Sequence, residues 1–119
     1  MGKPTTIILN MSIIKDIGLK TWEIEQIQSI LKSHAQVQRA VLYGSRAKGN
    51  YKPFSDIDLT LIGSSLNLTT QQIIENQIDD LLLPYKFDFS IYQQIQNKEL
   101  IEHINRVGIL LYDASSKKL

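Results

Sequence analysis

Two aspartates separated by one residue, Asp56-Ile57-Asp58, open an apolar run that continues through Leu59-Thr60-Leu61-Ile62. Side chains alternate along a strand, so both carboxylates point to one face, with Cα atoms about 6.6 Å apart. Two such acids repel, and each resists ionising beside the other. A divalent cation between them resolves that conflict. Magnesium suits the position, because it takes oxygen ligands and brings substrate phosphates with it.

Ten residues upstream, a first apolar run, Val41-Leu42-Tyr43, ends on Gly44-Ser45. A glycine there lets phosphate oxygens approach the backbone. A helical turn starting at Ser45 would add free amides and a hydroxyl donor. Gly-Ser is also common in plain turns, so the pair draws its weight from the basic loop and the two acids downstream of it. Arg46, Lys48 and Lys52 bring positive charge to the same loop, and Arg46 ranks first because a guanidinium can grip phosphate with two parallel bonds. Solvated surface is the ordinary alternative for all three. The loop lacks the Gly-Lys-Ser/Thr ending of a P-loop and any Gly-x-Gly-x-x-Gly fingerprint. Asp88 lies between Phe87 and Phe89, which alternate with it and point inward, so Asp88 faces out and joins the other acids if its strand pairs beside theirs. His34 and His103 are the only histidines, and cysteine is absent, which argues against a structural zinc site. A Ser45–His–Asp triad has no Gly-x-Ser-x-Gly elbow behind it. His34 is better explained as a favourable end to a helix.

The elements that position these groups are set by periodicity. Thr21–His34 reads as a helix with Thr21 as its cap and Ile24, Ile27, Leu31 and His34 on one stripe. Strands are expected at 37–43, 57–62 and 86–92. A helix capped by Thr69 or Thr70 runs to Leu83, with Ile73, Ile74, Ile78, Leu81 and Leu82 as its stripe and Pro84 as its stop. Asn97 caps a last helix that ends at Gly108, and Ile109–Tyr112 forms a short final strand. Thr5–Leu9 reads as a short strand and Ile13–Ile17 as a helical turn. The expected fold class is α/β in the α+β sense: a small mixed β-sheet with helices packed on one face, and Asp56, Asp58 and Asp88 on the other. Residues 1–20 read as an appendage, 21–112 as the domain and 113–119 as a flexible tail.

A chain of 119 residues with 43% hydrophobic and 21% charged residues suits one domain with a real core. A net charge of +1 gives no broad footprint for duplex nucleic acid. No apolar run approaches the roughly 20 residues of a membrane helix. The missing cysteines agree with a reducing cytoplasm, and the N-terminus lacks the layout of a signal peptide.

The string Gly44-Ser45-Arg46-Ala47-Lys48-Gly49 … Ser55-Asp56-Ile57-Asp58-Leu59 resembles the signature of the DNA polymerase β-like nucleotidyltransferase superfamily, and within it the minimal nucleotidyltransferase (MNT) domains. The resemblance implies that Asp56 and Asp58 bind metal, that Asp88 from a later strand binds metal or acts as base, and that Gly44 and Ser45 hold the triphosphate of ATP, with Arg46 beside them. It implies two Mg²⁺ ions, with Mn²⁺ as the substitute. It further implies a toxin–antitoxin setting, in which an MNT antitoxin transfers AMP to a tyrosine of a HEPN-domain RNase toxin and the two proteins can form a hetero-oligomer. Two other readings stand beside this one: an antitoxin that acts by contact alone, and a transferase acting on a small molecule such as an antibiotic. The lack of a second, acceptor-binding domain weighs against the last.

Overall fold

The computed structural model describes residues 17–116. The expected strand at Thr5–Leu9 and most of the turn at Ile13–Ile17 lie outside them. The elements are α1 (Thr21–Lys32), β1 (Arg39–Tyr43), α2 (Ser45–Lys48), β2 (Ile57–Ile62), α3 (Leu68–Asp79), β3 (Phe87–Ile91), α4 (Lys98–Val107) and β4 (Ile109–Asp113), with a 3-10 turn at Tyr92–Gln94. The order agrees with the periodicity, and the ends are set by local chemistry. Lys20, not Thr21, is the N-cap of α1, and its amide donates to the Glu23 carboxylate at 2.8 Å. Asn67, not Thr69 or Thr70, caps α3 by accepting from the Thr70 amide at 2.9 Å. Asn97 caps α4 as expected, accepting from Glu99 and Leu100.

The four strands form one mixed sheet in the order β3-β2-β1-β4. β1 runs antiparallel to β2 and β4, and β2 runs parallel to β3. A register shift between Ala40 and Val41 fits one extra residue of β4 against β1. Ala40, Leu42, Ile57, Leu59, Leu61, Phe89 and Ile91 line one face, and Ile24, Ile27 and Leu31 of α1 and Ile74 and Ile78 of α3 pack onto it. This is the small mixed sheet with helices that the sequence implies. α4 is the exception to packing on one face. Gly108 at its end lies so close to Val41, on the opposite face, that an added Cβ would come within 2.6 Å of Cγ1. Here the glycine is needed for close approach.

Three further expectations shift. Ile17 and Leu19, read from the sequence as part of an appendage, are buried in the core, and β4 runs through Asp113. α3 ends at Asp79, so Leu82 falls off the helical stripe; it is 88% exposed, with φ at +56°, and Ile73 is exposed too. Among the described residues no helix is long and apolar enough to cross a membrane.

Burial separates two leucines that composition treats alike. Leu59 is fully buried, and Leu59→Ala is expected to cost about 2–5 kcal/mol in urea unfolding. Leu82→Ala should fall within about 0.5 kcal/mol of wild type. A loss of several kcal/mol at Leu82 would contradict the described turn.

Candidate active site

β2 and β3 are register partners with Asp58 opposite Asp88 and Thr60 opposite Ser90, while β1 places Tyr43 opposite Asp58. These side chains share the face turned away from the α1–α3 core. The Ser90 hydroxyl donates to Thr60 Oγ1 at 2.9 Å, a polar layer next to the acids. Asp56 sits just before β2, exposed, and near enough to act on Asp58. Burial pushes the Asp58 carboxyl up from its ordinary 3.8 to about 6, and the charges of Asp88 and then Asp56 push the same way. Burial also raises the Tyr43 phenol; Asp58 and Asp88 add to that effect, and a hydrogen bond with Ser90 opposes it.

Unbalanced negative charge on hard oxygen donors is the environment a divalent cation relieves. Among the described residues, however, no three His, Cys, Asp or Glu side chains form a ready-made metal cluster. The acids are neighbours on one face rather than a closed ring of ligands. Their chemistry fits a hard divalent ion, and it does not fit zinc bound by sulfur or imidazole.

Gly44 adopts φ +78° and ψ −157°, and α2 opens at Ser45 immediately after it. A Cβ at residue 44 would collide with the Asp58 carboxylate. The glycine thus serves both the turn and the approach of the acid. The Lys48 amide bonds to the Gly44 carbonyl at 3.0 Å, and the earlier amides of this turn have no carbonyl partner within so short a helix. The Gly44 amide itself donates to His103 Nε2 at 3.1 Å. The His103 ring stands edge-on to Tyr43, with centroids 6.1 Å apart. His103 therefore comes to this turn from α4, but its bond goes to the Gly44 backbone and not to the Ser45 hydroxyl, which leaves the Ser–His–Asp alternative without its central contact. His34 pairs instead with Gln77 on α3, at 2.7 Å.

Arg46 departs from the role expected of it. It is only 1% exposed. Its Nε donates to Ser55 O, one terminal nitrogen to Ile17 O and the other to Pro53 O, at 2.9–3.1 Å. The guanidinium lies 5.1 Å from the ring centroids of both Tyr51 and Tyr85. Its donors face protein carbonyls and its planar faces meet aromatic rings, so it braces the loop instead of gripping phosphate. Tyr85 donates in turn to buried Glu23 at 2.7 Å. Burial, the bond to Glu23 and the Glu23 charge push the Tyr85 phenol up to about 12, while Arg46 pulls the other way. Lys48 and Lys52 remain on the surface, free to meet anionic charge. The structure thus gathers Gly44, Asp58 and Asp88, sets Ser45 and Asp56 at their margin, and withdraws Arg46. His103 and Tyr43 are the additions. His103 lies 59 residues from Gly44, a distance at which no spacing rule signals contact. Tyr43 could have been found from its strand phase, two residues from Val41 and directly before the glycine.

The family model described as polymerase beta, nucleotidyltransferase matches residues 25–117. Solved structures share the fold. A chain of a toxin–antitoxin complex with AMP-PNP superposes with a TM-score of 0.63 at 18% identity, covering 76% of this chain and 73% of that one. A chain of the MntA–HepT toxin–antitoxin complex gives 0.60 at 15% identity, over 82% and 75%. A chain of the complex between a tri-AMPylated Shewanella oneidensis HEPN toxin and an MNT antitoxin gives 0.61 at 15%, over 82% and 76%. At these identities the likeness is one of fold. No curated protein matches the sequence.

The geometry leads to two expected outcomes. Above pH 6 Asp58 is ionised in both the folded and unfolded chain, and the folded site opposes that charge. Asp58→Asn should therefore raise stability at pH 8 by about 1 kcal/mol, allowing for solvent screening. The gain should shrink as pH falls through 6 and vanish below 3.8, where both states are protonated; urea midpoints across this range measure it. Arg46→Met should cost about 3 kcal/mol or more, because three carbonyls lose charged donors. An Arg46→Met protein as stable as wild type would restore Arg46 as a candidate ligand contact.

Proposed function

The chain belongs to the polymerase β-type nucleotidyltransferase family, and from that premise we propose that it transfers AMP from ATP to a tyrosine hydroxyl of a partner HEPN RNase toxin, acting as the antitoxin of the pair in the cytoplasm. The observation that supports this most is the contact between the Gly44 turn and Asp58, with Asp88 as the register partner of Asp58. It brings the start of the turn that opens α2 next to the carboxylate of Asp58. The solved relatives add context: one complex holds AMP-PNP, and another contains an AMPylated HEPN toxin.

In this reading the Gly44–Ser45 turn holds the triphosphate through the first-turn amides that follow Gly44 and through the Ser45 hydroxyl, while the Gly44 amide itself stays with His103. Lys48 and Lys52 meet its charge from the surface; Arg46 contributes by keeping the loop in shape. Asp56, Asp58 and Asp88 hold divalent ions, with two Mg²⁺ as the expected complement and Mn²⁺ as the substitute. When bound, such ions neutralise phosphate charge and lower the pKa of an attacking hydroxyl. The acceptor oxygen forms a bond to the α-phosphorus, and the bond to the bridging oxygen breaks. Pyrophosphate leaves, and the hydroxyl proton passes to a base, for which Asp88 is the candidate. Little covalent work falls to the protein, so positioning and charge stabilisation carry the rate. A partner docked over the open acid face would bring its hydroxyl into line and exclude water. An added AMP would oppose RNA at the toxin's own site through like charge and lost space.

One second reading stands beside it, neutralisation of the toxin by contact alone; among the described residues no three His, Cys, Asp or Glu side chains form a metal cluster. Intact-mass measurement separates the two. The protein with ATP and Mg²⁺ should add mass to a co-encoded HEPN partner in whole AMP units, while Asp56→Asn and Asp58→Asn add none. An unchanged mass with the RNase still silenced would establish the contact mechanism, and no effect on either would point to a small-molecule acceptor. Chelation of the metal should also abolish tight binding of a non-hydrolysable ATP analogue.

A further inference from the structure

His103 is fixed from behind. α4 is capped by Asn97, packs through buried Ile104 and ends on Gly108 hard against Val41. This seats the His103 ring edge-on to Tyr43, with Nε2 accepting from the Gly44 amide at 3.1 Å. That bond requires an unprotonated Nε2, so the ring proton, assigned from the bond, is on Nδ1. The lone pair that faces the turn is already engaged, and His103 cannot use it as a base toward substrate. Its effect must pass through the backbone it holds.

Gly44 is where such a hold has most effect. Its φ of +78° belongs to glycine, the residue with the widest conformational freedom. The peptide entering it sets the angle at which α2 leaves β1, and its Cα abuts the Asp58 carboxylate. A single acceptor at the Gly44 amide therefore constrains both the phosphate-facing turn and one acid.

We propose that His103 is a positioning residue that sets the Gly44–Ser45 turn for a nucleoside triphosphate. The proposal rests on the reading of that turn as the triphosphate holder. Its test uses three replacements in the full chain. Gln can return an acceptor to the place of Nε2, Asn reaches only as far as Nδ1, and Phe fills the ring volume with no acceptor. Two quantities are read: affinity for a non-hydrolysable ATP analogue with Mg²⁺, and hydrogen exchange of the Gly44 amide followed by NMR without nucleotide. His103→Phe and His103→Asn should weaken affinity about tenfold, the scale of one lost hydrogen bond, and should speed Gly44 exchange. His103→Gln should restore most of both, while the melting temperatures of the three variants stay close together. Wild-type affinity and protection in His103→Phe would overturn the proposal. So would equal losses in all three variants that track their melting temperatures, since the ring would then act by packing alone. If wild type binds no analogue, the triphosphate reading falls, and the exchange pattern still decides whether His103 sets the turn.

Discussion

The site depends on one buried cation. The Arg46 guanidinium reaches from the short helix after the Gly-Ser turn to the carbonyls of Ile17, Pro53 and Ser55. Those three carbonyls belong to the segment before the first helix and to the loop that delivers the chain to Asp56. A neutral side chain of similar length could fill the volume but could not satisfy three acceptors at once. Desolvating this charge is expensive, and two tyrosine faces and a ring of carbonyl dipoles offset the cost. Buried Glu23 accepts from the hydroxyl of the same tyrosine, Tyr85. The first helix is thereby connected to the loop through Glu23, Tyr85 and Arg46, although it contributes no residue to the acid face.

On that face the electrostatics are left unresolved. Asp58 is pressed upward by burial and by its two neighbours, with nothing pulling it back. A protein stabilised for its own sake would place an amide there. The strain is local, because Thr60 and Ser90 satisfy each other beside the acids and the apolar core lies on the far side of the sheet. The fold can carry an unfavourable cluster because its hydrophobic layer is built elsewhere.

Alternation and spacing make the strands and the two-part motif legible in the sequence. Asp88 is found by phase alone, since its neighbours Phe87 and Phe89 have to point inward, and the parallel register then sets it opposite Asp58. The helix caps are less legible, because Lys20 has no capping oxygen in its side chain and acts through the carboxylate of Glu23. Arg46 is misleading in the sequence for a physical reason. An arginine beside a phosphate-type turn can face either the ligand or the loop carbonyls, and composition does not distinguish them. The contact from His103 to Gly44 depends on how α4 crosses the sheet, and only the folded chain shows it.

The parallel pairing of β2 with β3 has a consequence for when the protein becomes competent. Antiparallel neighbours can be joined by a tight turn, whereas parallel neighbours require the chain to travel back along its length. Here α3 makes that return, so Asp58 waits for residues 87–91, and Gly44 waits for α4. A ribosome that has released the chain only as far as α3 has already delivered the whole of the recognisable motif, and still no third acid. Contacts so distant in sequence form late and slowly. Interrupted synthesis would therefore leave a fragment that carries the two-part motif and lacks both the β3 partner of Asp58 and the hold of α4 on Gly44.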